Sequence, residues 1–253
     1  MKLYWHELRV QQLLFWRNRE AAFFSFLFPI ILLVLLGSVY GDEPIEGVNA
    51  ATYLLVGLLG YGVAATAFAS LAITLVVRRE AGLLKRVRGT PLRPATYLAA
   101  VIGSMVAVIA LQIVAQLLIG VYLLDARWPA AAGSFAFAVL LGAAAFAALG
   151  VAVTTVVRTA EGSSAVVNAI YLPMAFVSGA FFSTQEMPAF LEAISEVLPL
   201  TYLLDVIRST FIEGEGLGSA TGPLAAVAIW GIFGLVLAVR MFRWEPREGI
   251  SGT

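Results

Sequence analysis

The sequence predicts an all-α membrane protein with six transmembrane helices, and three observations carry that reading. Hydrophobic residues make up 60% of the 253 positions and charged ones only 13%. With a mean hydropathy of +0.91, too little polar surface remains to clothe a soluble domain. The apolar residues fall into stretches of about the 20 residues that a bilayer requires: 21–40, 52–77, 95–124, 129–157, 163–182 and 221–241. The charges collect between these stretches and do not interrupt their cores. Net charge is zero and the pI near 6.6, so no excess of base favours a nucleic-acid partner.

The first stretch competes with a signal peptide. Twenty residues precede it and it runs about twenty more, longer than a signal's apolar core, so it reads as a span. Orientation follows from the bases. Lys2, Arg9, Arg17 and Arg19 precede the first span. Arg78, Arg79, Lys85, Arg86, Arg88 and Arg93 join the second to the third, Arg158 lies after the fourth, and Arg240, Arg243 and Arg247 close the chain. With six spans all of these fall on one side. The opposite side keeps Arg127 and Arg208 and gathers Asp42, Glu43, Glu46, Asp125, Glu186, Glu192, Glu196, Asp205, Glu213 and Glu215. Both termini are therefore expected in the cytoplasm, with the chain a multi-pass protein of the cell membrane.

Two connections are more than turns. The cytoplasmic loop 78–94, RREAGLLKRVRGTPLRP, sets Leu83, Leu84 and Val87 among bases, spaced for one side of a short helix that Thr90 and Pro91 stop. Such a helix suits docking into a groove on a soluble partner. The outer connection 183–220 is too long to be structureless. Met187–Val197 and Leu200–Phe211 read as two short helices, too short to span, that dip into or lie on the outer leaflet. The segment GEGLG at 214–218 is the flexible return.

These two connections also carry a resemblance. Arg79-Glu80-Ala81-Gly82-Leu83-Leu84-Lys85-Arg86-Val87-Arg88-Gly89-Thr90-Pro91-Leu92 resembles the cytoplasmic segment of ATP-binding-cassette type-2 exporter permeases. Val177-Ser178-Gly179-Ala180-Phe181-Phe182, Met187-Pro188 and Leu198-Pro199-Leu200-Thr201-Tyr202, with Asp205 and Arg208, are similar to that family's outer region. The resemblance implies one permease domain over 1–253, with an interface helix at 1–20, where Tyr4, Trp5, Phe15 and Trp16 mix with bases although Gln11, Gln12 and Asn18 break the apolar stripe. It implies a coupling set of Glu80, Gly82, Leu83, Leu84, Arg86, Val87, Arg88, Thr90 and Pro91, and an outer gate of Phe181, Phe182, Met187, Pro188, Pro199, Tyr202, Asp205 and Arg208. It also implies two copies of a separate ATPase subunit that hold ATP and magnesium, a second permease, identical or related, and outward transport. The sequence has no G-x-x-x-x-G-K-[ST] phosphate loop, so ATP is expected on another chain.

Chemistry inside the membrane is sparse. The chain has no cysteine and a single histidine, His6, which leaves no thiolate chemistry and little basis for a metal site. The span cores hold mild polar groups: Thr66, Ser70, Thr74, Gln112, Gln116, Thr154, Thr155 and Asn168. Ion-coupled carriers place ionisable groups there, so an energy source outside the membrane fits better. Gln112 and Gln116 share a helix face, suited to interhelical bonding or to cargo. Phe23, Phe24, Met174, Phe176, Phe181 and Phe182 offer soft surface for an apolar cargo. The expected function is the transmembrane permease of an ATP-driven exporter of a hydrophobic or amphipathic small molecule, not itself an enzyme. Alternatives are the same machine carrying a lipid-linked polysaccharide, or a structural or sensory subunit. A lipid-active enzyme would need a cluster for acid–base or metal chemistry, which the dispersed outer acids do not form.

Overall fold

The computed structural model describes residues 2–40, 44–90, 92–157, 159–183 and 187–242, except the side chains of Arg88 and Pro94. Pro91, Asp42, Glu43, Arg158, Glu186, Arg243 and Arg247, to which the sequence assigned roles, lie outside the described residues, as does the Arg88 side chain.

The chain folds as a helical bundle around one rod. Helix α1 (Lys2–Arg17) precedes α2 (Arg19–Tyr40). A two-stranded hairpin follows, β1 (Pro44–Ile45) pairing antiparallel with β2 (Val48–Asn49). The rod itself is α3 (Ala50–Glu80). Residues 50–72 are buried without exception, as a helix apolar on every side must be, and α2, α5, α6, α7 and α9 below all pack on it. Past the rod come α4 (Leu83–Arg88), α5 (Pro94–Leu124), α6 (Ala132–Val153), α7 (Ala160–Val177), α8 (Ala189–Ser195), α9 (Pro199–Arg208) and α10 (Thr221–Met241).

Five described helices are long and apolar enough to cross a membrane: α2, α3, α5, α6 and α10. The predicted segment 163–182 is not among them. Its helix, α7, begins three residues earlier, at Ala160, and stops five residues short, at Val177. Gly179, at φ +78°, then turns the chain, so Phe181 and Phe182 belong to a turn and not to a span. The other predicted spans match these helices to within a few residues, with α6 shorter at both ends than 129–157.

Small residues set the helix spacing. On α10, Gly231 and Gly234 meet the backbone of Ala145 and of Ala148–Leu149 in α6, and Gly150 of α6 meets the backbone of Ala67 and Phe68 in α3, the close approach that small residues permit in membranes. Large apolar side chains such as Phe137, Leu140, Ile229, Ile232, Phe233 and Val239 face outward. Only lipid solvates such a surface.

The rod contains a π-helical turn at Ala65–Ser70, and α2 contains another at Phe23–Leu27. The two pack on each other. Thr66 Oγ1 lies 3.5 Å from both the Ser25 carbonyl and Gln112 Oε1, so the mild polar groups of the spans meet where the helical ladder is irregular.

Candidate functional site

Two clusters lie at opposite ends of the rod. At the first, α3 runs on through Arg78, Arg79 and Glu80, so the connecting loop is shorter than 78–94. Gly82, at φ +69°, supplies the left-handed residue that ends α3 and redirects the chain into α4. Thr90 closes α4, its Oγ1 donating to Val87 O at 2.7 Å and accepting from Leu92 N at 3.3 Å.

The structure corrects the predicted amphipathicity of this helix. Leu84 is fully buried and Val87 packs on the core, so that edge docks on the protein's own body. Leu83 is 44% exposed and faces outward with Lys85 and Arg86. Residues i and i+1 are 100° apart on a helix, too far for Leu83 and Leu84 to share one contact.

Behind α4, three consecutive residues tie the rod to its neighbours. Arg78 donates to Gln11 Oε1 at 2.6 Å and to Tyr97 Oη at 2.8 Å, reaching α1 and α5. Arg79 is 3% exposed and donates to Thr154 O at 2.8 Å and Val157 O at 2.7 Å, satisfying carbonyls that the end of α6 leaves open. Glu80 accepts from Ala160 N at the start of α7, where a carboxylate also meets the positive end of the helix dipole. The end of α3 beside α4 is thus hydrogen-bonded to α1, α5, the segment after α6 and the start of α7. Sequence reading counted Arg78 and Arg79 as topology charges, with Arg79 opening the family-like segment, and left both out of the coupling set; their twinning beside Glu80 was the available signal.

At the other end, the Arg208 guanidinium gathers the element formed by α8, α9 and the turn after α7. Its Nη2 donates to Gly179 O at 2.6 Å and Tyr53 Oη at 2.9 Å, and its Cζ lies 4.9 Å from the Tyr53 ring centroid. Tyr53 Oη in turn donates to Phe182 O at 3.3 Å. Arg208 thus clamps α9, the Gly179–Phe182 turn and the start of α3. Asp205 sits 3.8 Å from Arg208 with its side chain 42% exposed, so this pair adds little stability. Burial pushes the Asp205 carboxyl above its ordinary range, Arg208 draws it back, and Glu46 adds to the rise. Pro188 and Pro199 open α8 and α9, where a missing N–H costs nothing. Tyr202 Oη donates to Glu196 O, linking the two. Met187 precedes Pro188 without a described bond. The predicted helices Met187–Val197 and Leu200–Phe211 correspond to α8 and to α9 with its π-helical extension Ser209–Glu213.

The residues predicted to contact cargo do not converge. Phe23 and Phe24 are exposed on the π turn of α2, their rings 5.2 Å apart. Gln112 and Gln116 are buried within the bundle, Gln112 Nε2 lying 3.5 Å from Gln116 Oε1, and Gln116 Nε2 has no partner among the described residues. Asn168 is half-buried and Met174 buried. Phe176 and Phe181 do meet, at 5.1 Å, and Phe181 stacks edge-on with Tyr61 at 5.2 Å. Tyr61 and Tyr171, the latter donating to Tyr61 O at 3.1 Å, complete an aromatic cluster that the sequence reading missed. Among the described residues no group of His, Cys, Asp and Glu could hold a metal ion.

A bundle of long apolar helices, with a short basic helix at one end and a clamped pair of short helices at the other, describes a multi-pass membrane permease. Residues 3–212 match the family described as ABC-2 type transporter. The chain belongs to that family, whose members are permease subunits and not themselves enzymes. It is 26% identical over 129 residues to nodulation protein J of Sinorhizobium fredii, covering 51% of this chain and 48% of that protein. It is 26% identical over 98 residues to nodulation protein J of Bradyrhizobium diazoefficiens, covering 39% and 37%. A probable multidrug ABC transporter permease, YbhS of Escherichia coli, is 29% identical over 68 residues, covering 26% and 18%. The chain spans less than half the length of each of these relatives.

Proposed function

We propose that this chain is the transmembrane half of an ATP-driven exporter that moves a hydrophobic or amphipathic small molecule outward by alternating access. One observation carries the reading: a short basic helix, seated on the core by Leu84 and presenting Leu83, Lys85 and Arg86 outward, is joined directly to the buried rod that braces α1, α5, α6 and α7. Two ATPase subunits, with ATP and Mg2+ bound to them, take this face. A second permease, identical or related, completes the assembly in the lipid bilayer. Closure of the ATPases on ATP shifts the population of permease states because ATP favours the closed arrangement. Cargo leaves beneath α8 and α9 as the Arg208 clamp opens. A relative named as a multidrug permease and span cores free of charge support an apolar cargo.

In this arrangement α7 is a sixth span. Its first turn is bonded to Glu80 at one end of the rod, and the turn after it is bonded to Tyr53 near the other. At about 1.5 Å per residue an 18-residue helix covers nearly the hydrocarbon core. Six spans put both termini on the side of the bases, the cytoplasm.

The cysteine-free sequence makes the test direct. Lys85→Cys is expected to label only from the cytoplasm and Gly216→Cys only from outside, while tagged wild-type chain co-purifies with a stand-alone ATPase from its own genome. Labelling of both cysteines from one side would refute the six-span arrangement. Association with no ATPase by a folded chain would refute the coupling role.

A further inference from the structure

A cavity of about 710 Å³ opens at the foot of the bundle between α1 and the start of α5, lined by Leu3, Tyr4 and Trp5 on one wall and by Arg93, Thr96 and Ala99 on the other. Its walls are fixed. Gly103 of α5 has no side chain, and the Tyr4 hydroxyl occupies that space, 2.5 Å from where a Cβ would lie. Further along, Gln12 Nε2 donates to Ser104 O at 2.7 Å, and Arg78 holds Gln11. The helix α1 therefore meets α5 through Tyr4, Leu8 and Gln12, and the cavity lies beside these contacts at the start of both helices.

The chemistry of the slot is mixed in a particular way. Trp5 is 62% exposed with its ring 5.6 Å from that of Tyr4, and Leu3 is exposed beside it. Arg93 is exposed, and its guanidinium has no hydrogen bond or ion pair among the described residues. On α1 the carboxylate of Glu7 is engaged by Gln11 Nε2 at 2.6 Å, while Lys2 and Arg9 add to the positive field at this end. An apolar, aromatic trough with one uncommitted cation at its rim matches a molecule that carries acyl chains and a negative headgroup together. A soluble anion would use Arg93 and leave the apolar walls in water.

We propose that this groove binds an anionic phospholipid of the cytoplasmic leaflet, its phosphate at Arg93 and its chains against Leu3, Tyr4, Trp5 and Ala99. The leaflet's negative surface attracts bases beside it, and aromatic residues settle at headgroup depth. A lipid held here bridges the interface helix and the segment that follows α4, so the composition of the leaflet acts on the same end of the rod as the ATPase. The proposal rests on the orientation given above and not on the identity of the cargo or the ATPase.

The experiment uses the full chain in phosphatidylcholine nanodiscs with Trp16, Trp128, Trp230 and Trp244 replaced by Phe, leaving Trp5 as the reporter. Brominated phosphatidylglycerol is expected to quench Trp5 half-maximally at a mole fraction at least threefold below that needed with brominated phosphatidylcholine. Arg93→Gln is expected to erase that preference, and Ala99→Phe, which fills the groove, to weaken quenching by both. Should the tryptophan replacements impair folding, native mass spectrometry of the otherwise wild-type chain reads the same effect, as retained phosphatidylglycerol that Arg93→Gln loses. Equal quenching by the two lipids, or a preference that survives Arg93→Gln, would overturn the proposal. Loss of the preference on adding inorganic phosphate at constant ionic strength would show a site for free anion and overturn it also. A wrong orientation is detected separately by the cysteine labelling.

Discussion

Arg79→Ala is expected to lower the stability of the purified permease by about 3 kcal/mol and to abolish coupling to the ATPase. The guanidinium is buried and makes two charge-assisted bonds to carbonyls at the end of α6. Leaving each buried acceptor without a donor costs roughly 1–3 kcal/mol, and water entering from the nearby membrane surface recovers part of that. Thr154 and Thr155 cannot compensate, because their hydroxyls already bond to Val151 O and Ala152 O. Arg79→Lys keeps the charge and loses the fork that reaches both carbonyls, so it is expected to fall between alanine and wild type. Thermal unfolding in mild detergent ranks the three. Arginine and alanine unfolding together would show that these bonds carry no stability.

Gly57→Val is expected to cost a similar amount at the opposite end of the rod. A Cβ at this position would lie 2.0 Å from the Ala180 carbonyl oxygen and 2.8 Å from its carbon. The obstacle is backbone and not a flexible side chain, so the Gly179–Phe182 turn has to leave α3. Overpacking of this kind costs about 1–3 kcal/mol, and the move also breaks the bonds from Arg208 and Tyr53 to that turn. Gly133→Ala, where nothing lies within 4 Å of a Cβ, is the control and is expected to leave the unfolding temperature unchanged or slightly raised. Equal unfolding temperatures for Gly57→Val and wild type would show that the turn does not rest on the rod.

The long helices were legible because hydropathy and flanking charge are local properties that lipid enforces directly. The predicted ends of the first, second, third and last spans fall within a few residues of α2, α3, α5 and α10. The helix expected over 163–182 is present as α7, but the last five of those residues lie in a turn, because a buried aromatic turn is as apolar as a helix. Only Gly179 marked the break, and a glycine within an apolar run has several meanings.

The short helices at the two ends of the rod were legible in the sequence, their contacts less so. The short helix in the basic loop exists, but its apolar edge serves its own protein: nothing in the spacing of Leu84 and Val87 says which body they meet. Gln11 and Gln12, read as defects in an apolar stripe, are the groups that dock α1, bonding across 67 and 92 residues of chain. Contacts of that range leave no local pattern. Arg208 and Asp205 were singled out together by resemblance, yet the stronger partners of Arg208 are Tyr53 and the Gly179 carbonyl.

The coupling role of the Arg79–Glu80 end of the rod is tested most directly by ATP hydrolysis in the reconstituted complex, comparing wild type with Glu80→Lys. Glu80 is exposed and its bond is to the first amide of α7, so the substitution leaves the core intact while reversing the charge at that helix start. The complex is expected still to assemble and to unfold at nearly the wild-type temperature, with transport-coupled hydrolysis reduced about tenfold or more, the factor that 1.4 kcal/mol of lost coupling produces. Hydrolysis and transport at wild-type rates in Glu80→Lys would contradict the coupling role.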